Sequence, residues 1–380
     1  VSRRYQAGII KPGFNPLGTQ TTSYAYELWA WGENDYGQLG RGNTTSLSSP
    51  NQVGALTSWL TVASGYKFTL ATTTGGTLFT WGRNQYGQLG LGNTTDYSSP
   101  KQVGALTNWS KISGGQWHTV ALKTDGTLWV WGRNSGAPAS GILGLGNTTD
   151  YSSPKQVGAL TNWLQISAGY RYSVAIKTDG TLWAWGWNSK GELGLGDTTN
   201  RSSPVQVGAL TSWSKIAAGT NYTVSIRTNG TLWAWGYNAF GQLGIGNTSD
   251  YSSPKQIGSL TTWLDIAAGM YTTLAVQTNG TLWAWGYNSF GQLGIGNTTN
   301  YSSPKQIGSL TTWLKVASGR YKLLAIKTDG TLWSWGRGIS GQLGIGNTTD
   351  YSSPKQVGAL TTWYTTPAKT NDYSTVALKY

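Results

Sequence analysis

The dipeptide Trp-Gly recurs at Trp31, Trp81, Trp131, Trp185, Trp235, Trp285 and Trp335, with spacings of 50, 50, 54, 50, 50 and 50 residues. A fixed period of this length marks a chain built from one supersecondary unit stacked many times. A second column, preceded by Leu-Thr-x, holds Trp59, Trp109, Trp163, Trp213, Trp263, Trp313 and Trp363. A third, two residues before the first, holds Trp29, Phe79, Trp129, Trp183, Trp233, Trp283 and Trp333. Together they take up twenty of the 22 tryptophans, leaving Trp117 and Trp187 outside.

Each unit reads as short strands between strong turn signals. Around Trp185, Leu164–Ser167 leads through Gly169 to Ser173–Lys177. Asp179-Gly180 then predicts a two-residue type I′ hairpin turn with positive φ at both positions. Thr181–Trp185 alternates rings with small or aliphatic residues, so each face has its own packing layer. A Gly-rich loop ends at Ser202-Ser203-Pro204, and Val205–Val207 completes the unit as an outer strand. No helical periodicity intervenes. Four strands per unit and seven units predict an all-β, seven-bladed β-propeller over residues 27–380, preceded by an extended arm at 1–26.

The turn dipeptide occurs six times: Gly75-Gly76, Asp125-Gly126, Asp179-Gly180, Asn229-Gly230, Asn279-Gly280 and Asp329-Gly330. The seventh unit is split between the ends of the repeat array. Residues 374–380 supply the strand before the missing turn, and residues 27–31 supply the strand after it. Their pairing is predicted to lock the ring and remove the open ends that a solenoid must cap.

Ile216-Ala217-Ala218-Gly219, Thr223–Ile226, Asn229-Gly230, Trp235-Gly236-Tyr237-Asn238 and Gly241-Gln242-Leu243-Gly244 together resemble the regulator of chromosome condensation repeat. The resemblance spans residues 27–380 and implies a seven-bladed propeller that binds another macromolecule. The family includes a nucleotide-exchange factor, a β-lactamase inhibitor and adaptor modules, so it implies no single partner. Its usual His three residues after the Ala-Gly turn survives only as His118 in the column Phe68, His118, Tyr172, Tyr222, Thr272 and Lys322. The wedge-like insertion of the exchange factor has no counterpart beyond four residues around Ala137–Ser140. Residues 366–372 replace the Ala-Ala-Gly turn of the last unit.

Alternating strand direction puts the Ala-Gly-x-x turn and the Trp-Gly-x-Asn loop on one rim. Variation between repeats falls mainly there. Tyr66, Lys67, Trp117, Tyr170, Arg171, Tyr271, Arg320 and Tyr321 follow the first motif, and Arg83, Arg133, Trp187, Tyr237, Tyr287 and Arg337 follow the second. Tyr, Trp and Arg are the side chains richest in binding energy at interfaces. The expected site is a ring of aromatic and cationic contacts for a protein or glycan.

Other signals exclude more than they assign. The chain has no Cys and one His, which removes thiolate chemistry and leaves no conventional triad or metal site. A net charge of +13 comes partly from Lys101, Lys155, Lys255, Lys305 and Lys355 in one column, and from Lys123, Lys177, Arg227 and Lys327 in another. Repetition spreads these round the ring as solvated strand faces, instead of forming the continuous patch that nucleic acid requires. No apolar run approaches a membrane span of about 20 residues. We expect no cofactor, no metal, no nucleic acid and no membrane insertion, and His118 reads as a rim or packing residue.

The arm offers Arg3, Arg4, Tyr5, Ile9, Ile10 and Phe14 as anchors, without the apolar run of a signal peptide. The expectation is a non-catalytic binding propeller held in an assembly by its arm, presenting its variable rim. A virion surface, as in a bacteriophage decoration or attachment protein synthesised in the cytoplasm, fits that combination. The alternative from a different class is a soluble protein-binding regulator, an inhibitor or exchange-factor-like protein.

Overall fold

A computed structural model describes residues 26–136, 140–365 and 373–380. Seven four-stranded antiparallel sheets stand in a ring, and no helix occurs among the described residues. In the Trp185 blade the strands run Trp163–Ala168, Tyr172–Lys177, Leu182–Gly186 and Arg201–Gln206, from the channel outward. The innermost strands line the central channel. Its waist is made of small side chains, including Ala63, Ser113, Ser167 and Ala217, around a cavity of about 120 Å³. Small residues fit there because seven strands converge on one axis.

The predicted closure is observed. Glu27–Gly32 pairs with Ser374–Lys379 in unbroken register, from Glu27 opposite Lys379 to Gly32 opposite Ser374. Leu47–Gln52 and Trp363–Thr365 complete that sheet. The Glu27 carboxylate adds an ion pair to Lys379 at 3.0 Å.

Neighbouring blades share one apolar core at each joint. Leu70, Leu78 and Leu89 of the Trp81 blade pack with Trp109 and Trp131 of the next. The Trp-Gly column is fully buried at all seven positions. The Trp81 indole N–H donates to the Gln38 carbonyl of the preceding blade at 3.0 Å, and Trp131 repeats this with Gln88 at 2.9 Å. The glycine two residues beyond each such Gln lies against that indole. A Cβ on Gly40 would sit 2.6 Å from Trp81 Nε1. Trp185 departs from the pattern. The preceding blade carries Ile142 where the others carry Gln or Glu, and the buried Trp185 N–H has no partner among the described residues.

Three local features differ from the sequence-based expectation. The Asp-Gly turns are not type I′. In Lys177–Thr181, Gly180 N donates to Lys177 O at 2.9 Å and Lys177 N to Thr181 O at 3.0 Å. Gly180 alone is left-handed (φ +77°). This is a type I turn closed by a glycine bulge, which needs only one residue at positive φ. Asp179 instead accepts from Thr181 N at 2.9 Å and Thr181 Oγ1 at 2.6 Å.

The outer strands begin earlier than expected. Pro204 lies inside Arg201–Gln206, where the register breaks between Val205 opposite Ala184 and Arg201 opposite Gly186. An irregular edge strand accommodates the missing N–H.

The second cationic column is not solvated. Lys123, Lys177 and Lys327 are buried, with Nζ 3.6, 3.6 and 3.8 Å from the ring centroids of Trp129, Trp183 and Trp333. Burial pulls their pKa values below the usual lysine range. The Lys101 column stays on the surface, beside Tyr97 and its equivalents.

Candidate functional site: an aromatic and arginine rim

The two variable loops of each blade are pinned side by side. Arg83 N donates to Lys67 O at 2.8 Å, Arg133 N to Trp117 O at 2.8 Å and Tyr287 N to Tyr271 O at 2.9 Å. The positions predicted from the two motifs therefore share one rim. All fourteen are half-buried, because they stack on one another.

Two halves differ in chemistry. From the Trp81 blade to the Trp185 blade, cations lie against rings. The Arg83 guanidinium is 4.8 Å from the Tyr36 ring and 5.8 Å from Tyr66. Trp117 is held between Arg133 at 4.5 Å and Arg171 at 5.1 Å, and Arg171 also reaches Tyr170 and Trp187. Lys67 lies near the same two rings, 5.0 Å from Tyr36 and 5.9 Å from Tyr66, and also forms an ion pair with Glu33 at 2.5 Å. Burial opposes the Lys67 charge, but Glu33 outweighs it and raises the ammonium pKa. Burial also raises that of Glu33. Lys67 is the only non-glycine residue at positive φ among those described (φ +60°), a placement that costs backbone strain.

From the Trp235 blade to the Trp335 blade the rim is mostly ring on ring. Phe240 lies 4.9 Å from both Tyr271 and Tyr287, and Phe290 lies 5.0 Å from Tyr321. Arg337 covers Phe290 at 4.5 Å, while Arg320 lies 5.2 Å from Tyr321. Tyr66, Trp117, Tyr170, Met270 and Arg320 surround the channel mouth on this side, a cavity of about 350 Å³.

The motif reading missed Tyr36, Tyr86, Phe240, Phe290 and Lys190. They immediately precede the nearly constant Gly-Gln-Leu-Gly run and so read as scaffold. The Gln of that run holds them in place. Gln88 Oε1 accepts from Tyr86 N at 2.9 Å, and Gln242 Oε1 from Phe240 N at 3.0 Å. Glu192 substitutes for this Gln and accepts from Lys190 N at 2.7 Å. Its other oxygen is buried with no partner among the described residues, and burial pushes the Glu192 pKa up to about 7.

His118 is a packing residue. It is buried between blades, with Nε2 3.0 Å from Ser173 Oγ. The same column stitches other joints, with Tyr222 OH donating to Thr272 O at 2.8 Å and Lys322 Nζ to Ser374 O at 2.6 Å. Among the described residues no group of three or more His, Asp or Glu gathers to hold a metal ion. The arm positions Arg3, Arg4, Tyr5, Ile9, Ile10 and Phe14 lie outside the described residues, as do 137–139 and 366–372.

Likeness to known proteins runs along the repeat. The regulator of chromosome condensation (RCC1) repeat matches residues 27–72, 75–122 and 125–176, and the RCC1-like domain matches 160–379. The chain belongs to the RCC1 repeat family. Among solved structures, this RCC1 propeller resembles Prp20p from Saccharomyces cerevisiae. That match has a TM-score of 0.83 and 20% identity, covering 94% of this chain and 92% of the other. Human WBSCR16 gives 0.82 and 20%, covering 93% and 99%. At these identities the likeness concerns the fold. A curated relative, the ultraviolet-B receptor UVR8 of Arabidopsis thaliana, is 43% identical over 53 residues, spanning 13% of this chain and 12% of the receptor.

Proposed function

We propose that this RCC1 propeller is a non-catalytic protein-binding regulator whose rim takes up an acidic surface of its partner. The observation that carries the reading is the charge state of the rim. Among the described residues Arg83, Arg133, Arg171 and Arg337 take part in no ion pair, while rings hold their guanidinium groups in place. A partner carboxylate meeting such a group gains a charge-assisted hydrogen bond, and the arginine has little freedom left to lose.

Family membership supports macromolecular binding, and Prp20p, of the same fold, is described with binding properties toward Gsp1p and histones. The relatives favour the regulator reading over a virion component, and a protein ligand over a glycan. The test uses a fluorescein-labelled polyglutamate peptide and the full chain. Binding should weaken steeply with salt and fall at least tenfold in Arg133→Ala/Arg171→Ala, with polylysine inert. Affinity indifferent to these arginines would overturn the assignment.

A further inference from the structure

The face opposite the rim carries an apolar surface that the binding reading leaves unused. A leucine stands in each loop entering an innermost strand, Leu56 and Leu106 among them, and these seven are 40–49% exposed. Patches of this kind mark contact surfaces. Closer to the channel the repeat is broken. The column Leu60, Ser110, Leu164, Ser214, Leu264, Leu314 and Tyr364 is apolar without interruption only across four adjacent blades, from Leu264 through Leu314 and Tyr364 to Leu60. Those four side chains line a cavity of about 580 Å³ at the channel mouth. Copying of the repeat accounts for the outer leucines but not for an arc confined to one side.

The arc includes the blade where the described chain begins. Tyr26 is 2% exposed and stacks on Tyr364 with ring centroids 4.2 Å apart at 12°. It also bridges Trp59 through two main-chain hydrogen bonds of 3.2 Å, and Leu60 is the next residue along. Residues 1–25 therefore join the propeller at the wall of this cavity. They include Tyr5, Ile9, Ile10, Phe14 and Leu17 and not one carboxylate. Twenty-five residues reach up to about 80 Å, ample to cross the arc. A tether ending at the wall gives the segment a millimolar-scale effective concentration there.

We propose that the apolar arc Leu264–Leu314–Tyr364–Leu60 is the seat of this chain's own residues 1–25, docked in cis on the face opposite the binding rim. The segment covers the exposed leucines, and its attachment beside Tyr364 selects this side of the ring.

The chain has no cysteine, so a designed pair reports alone. Phe14→Cys with Leu314→Cys, treated with a short bismaleimide in the full chain, should give an intramolecular crosslink whose yield is independent of dilution. A Phe14→Cys pairing with a cysteine at Arg201, on an outer strand of a distant blade, should give at least tenfold less. Adding Leu264→Ser and Leu60→Ser, which copy Ser110 and Ser214 of the same column, should cut the first crosslink several-fold with the unfolding midpoint retained. A crosslink that forms between chains and fades on dilution would assign the face to a second copy and overturn the proposal. Equal yields at the two positions, or leucine-dependent capture of the full chain by phosphatidylserine vesicles, would overturn it as well.

Discussion

The indole N–H of Trp31 donates to the carbonyl of Gln342 at 3.0 Å, a hydrogen bond spanning 311 positions of sequence. It is the same joint that Trp81 makes with Gln38, yet here it fastens the two ends of the repeat array. Trp31→Phe keeps most of the ring and removes the bond. Trp185→Phe removes an N–H that has no partner among the described residues. The first should cost about 1 kcal/mol more than the second, because it removes one buried hydrogen bond and leaves Gln342 O with only its 2.9 Å bond from Thr375 Oγ1. Guanidinium unfolding of the two variants decides it, and equal losses would mean that the hydrogen bond adds nothing to closure.

The glycine side of that joint predicts a second contrast. A Cβ on Gly344 would lie 2.5 Å from Trp31 Nε1, whereas one on Gly54 meets nothing within 4 Å, although both residues have positive φ. Gly54→Ala bears only backbone strain, about 1–2 kcal/mol. Gly344→Ala adds overpacking, for a total of about 3–4 kcal/mol. Thermal unfolding midpoints should separate the two variants by several degrees.

Glu192 makes stability depend on pH. Its folded pKa of about 7 lies above the unfolded value of about 4.3. Between these values the folded chain keeps a proton that the unfolded chain has released, so stability falls as pH rises and levels off above 7. The full span corresponds to about 4 kcal/mol, as an order of magnitude. Glu192→Gln restores the residue found at Gln38, Gln88, Gln242, Gln292 and Gln342. It should raise the unfolding midpoint at pH 8 and leave it nearly unchanged at pH 4.5. A gain of equal size at both pH values would contradict the assignment.

Trp117 carries no charge but lies against two arginines. Trp117→Ala should therefore weaken polyglutamate binding roughly threefold to tenfold, since each cation–π pairing is worth about 0.5–1 kcal/mol. Trp117→Phe should recover part of it. Retention of full affinity in the alanine variant would mean that Arg133 and Arg171 hold their positions without the ring.

Periodicity made the ring and its closure legible, since both come from counting strands around columns such as Trp31 to Trp335. Seven units with six internal turns leave only one place for Glu27–Gly32. Side-chain environment was harder to read. Lys123 and Asp179 look like surface polar residues in a strand–turn–strand pattern. The burial of Lys123 depends on the Trp129 face, and the role of Asp179 depends on a glycine bulge that needs one left-handed residue instead of two. On the rim, residues that differ between repeats were visible as variation. Tyr86, Phe240 and Phe290 were hidden because they adjoin a motif that hardly varies. Their ring partners lie in the next blade, about thirty residues away.

The seam also settles a problem of mistaken identity. Thr119–Lys123 and Thr375–Lys379 both read Thr-Val-Ala-Leu-Lys, so Glu27–Gly32 meets a decoy long before its true partner has been synthesised. Local hairpins close within microseconds, and Thr119–Lys123 is occupied by its own neighbour, Leu128–Gly132. The two copies differ in the residues on their C-terminal side. Lys123 runs on into Thr124-Asp125-Gly126, whereas Lys379 leads to Tyr380, whose ring meets Tyr26 at 5.1 Å and Tyr364 at 5.5 Å. Three tyrosines thus cluster beside the second copy of an identical pentapeptide, at the place where the circle is complete.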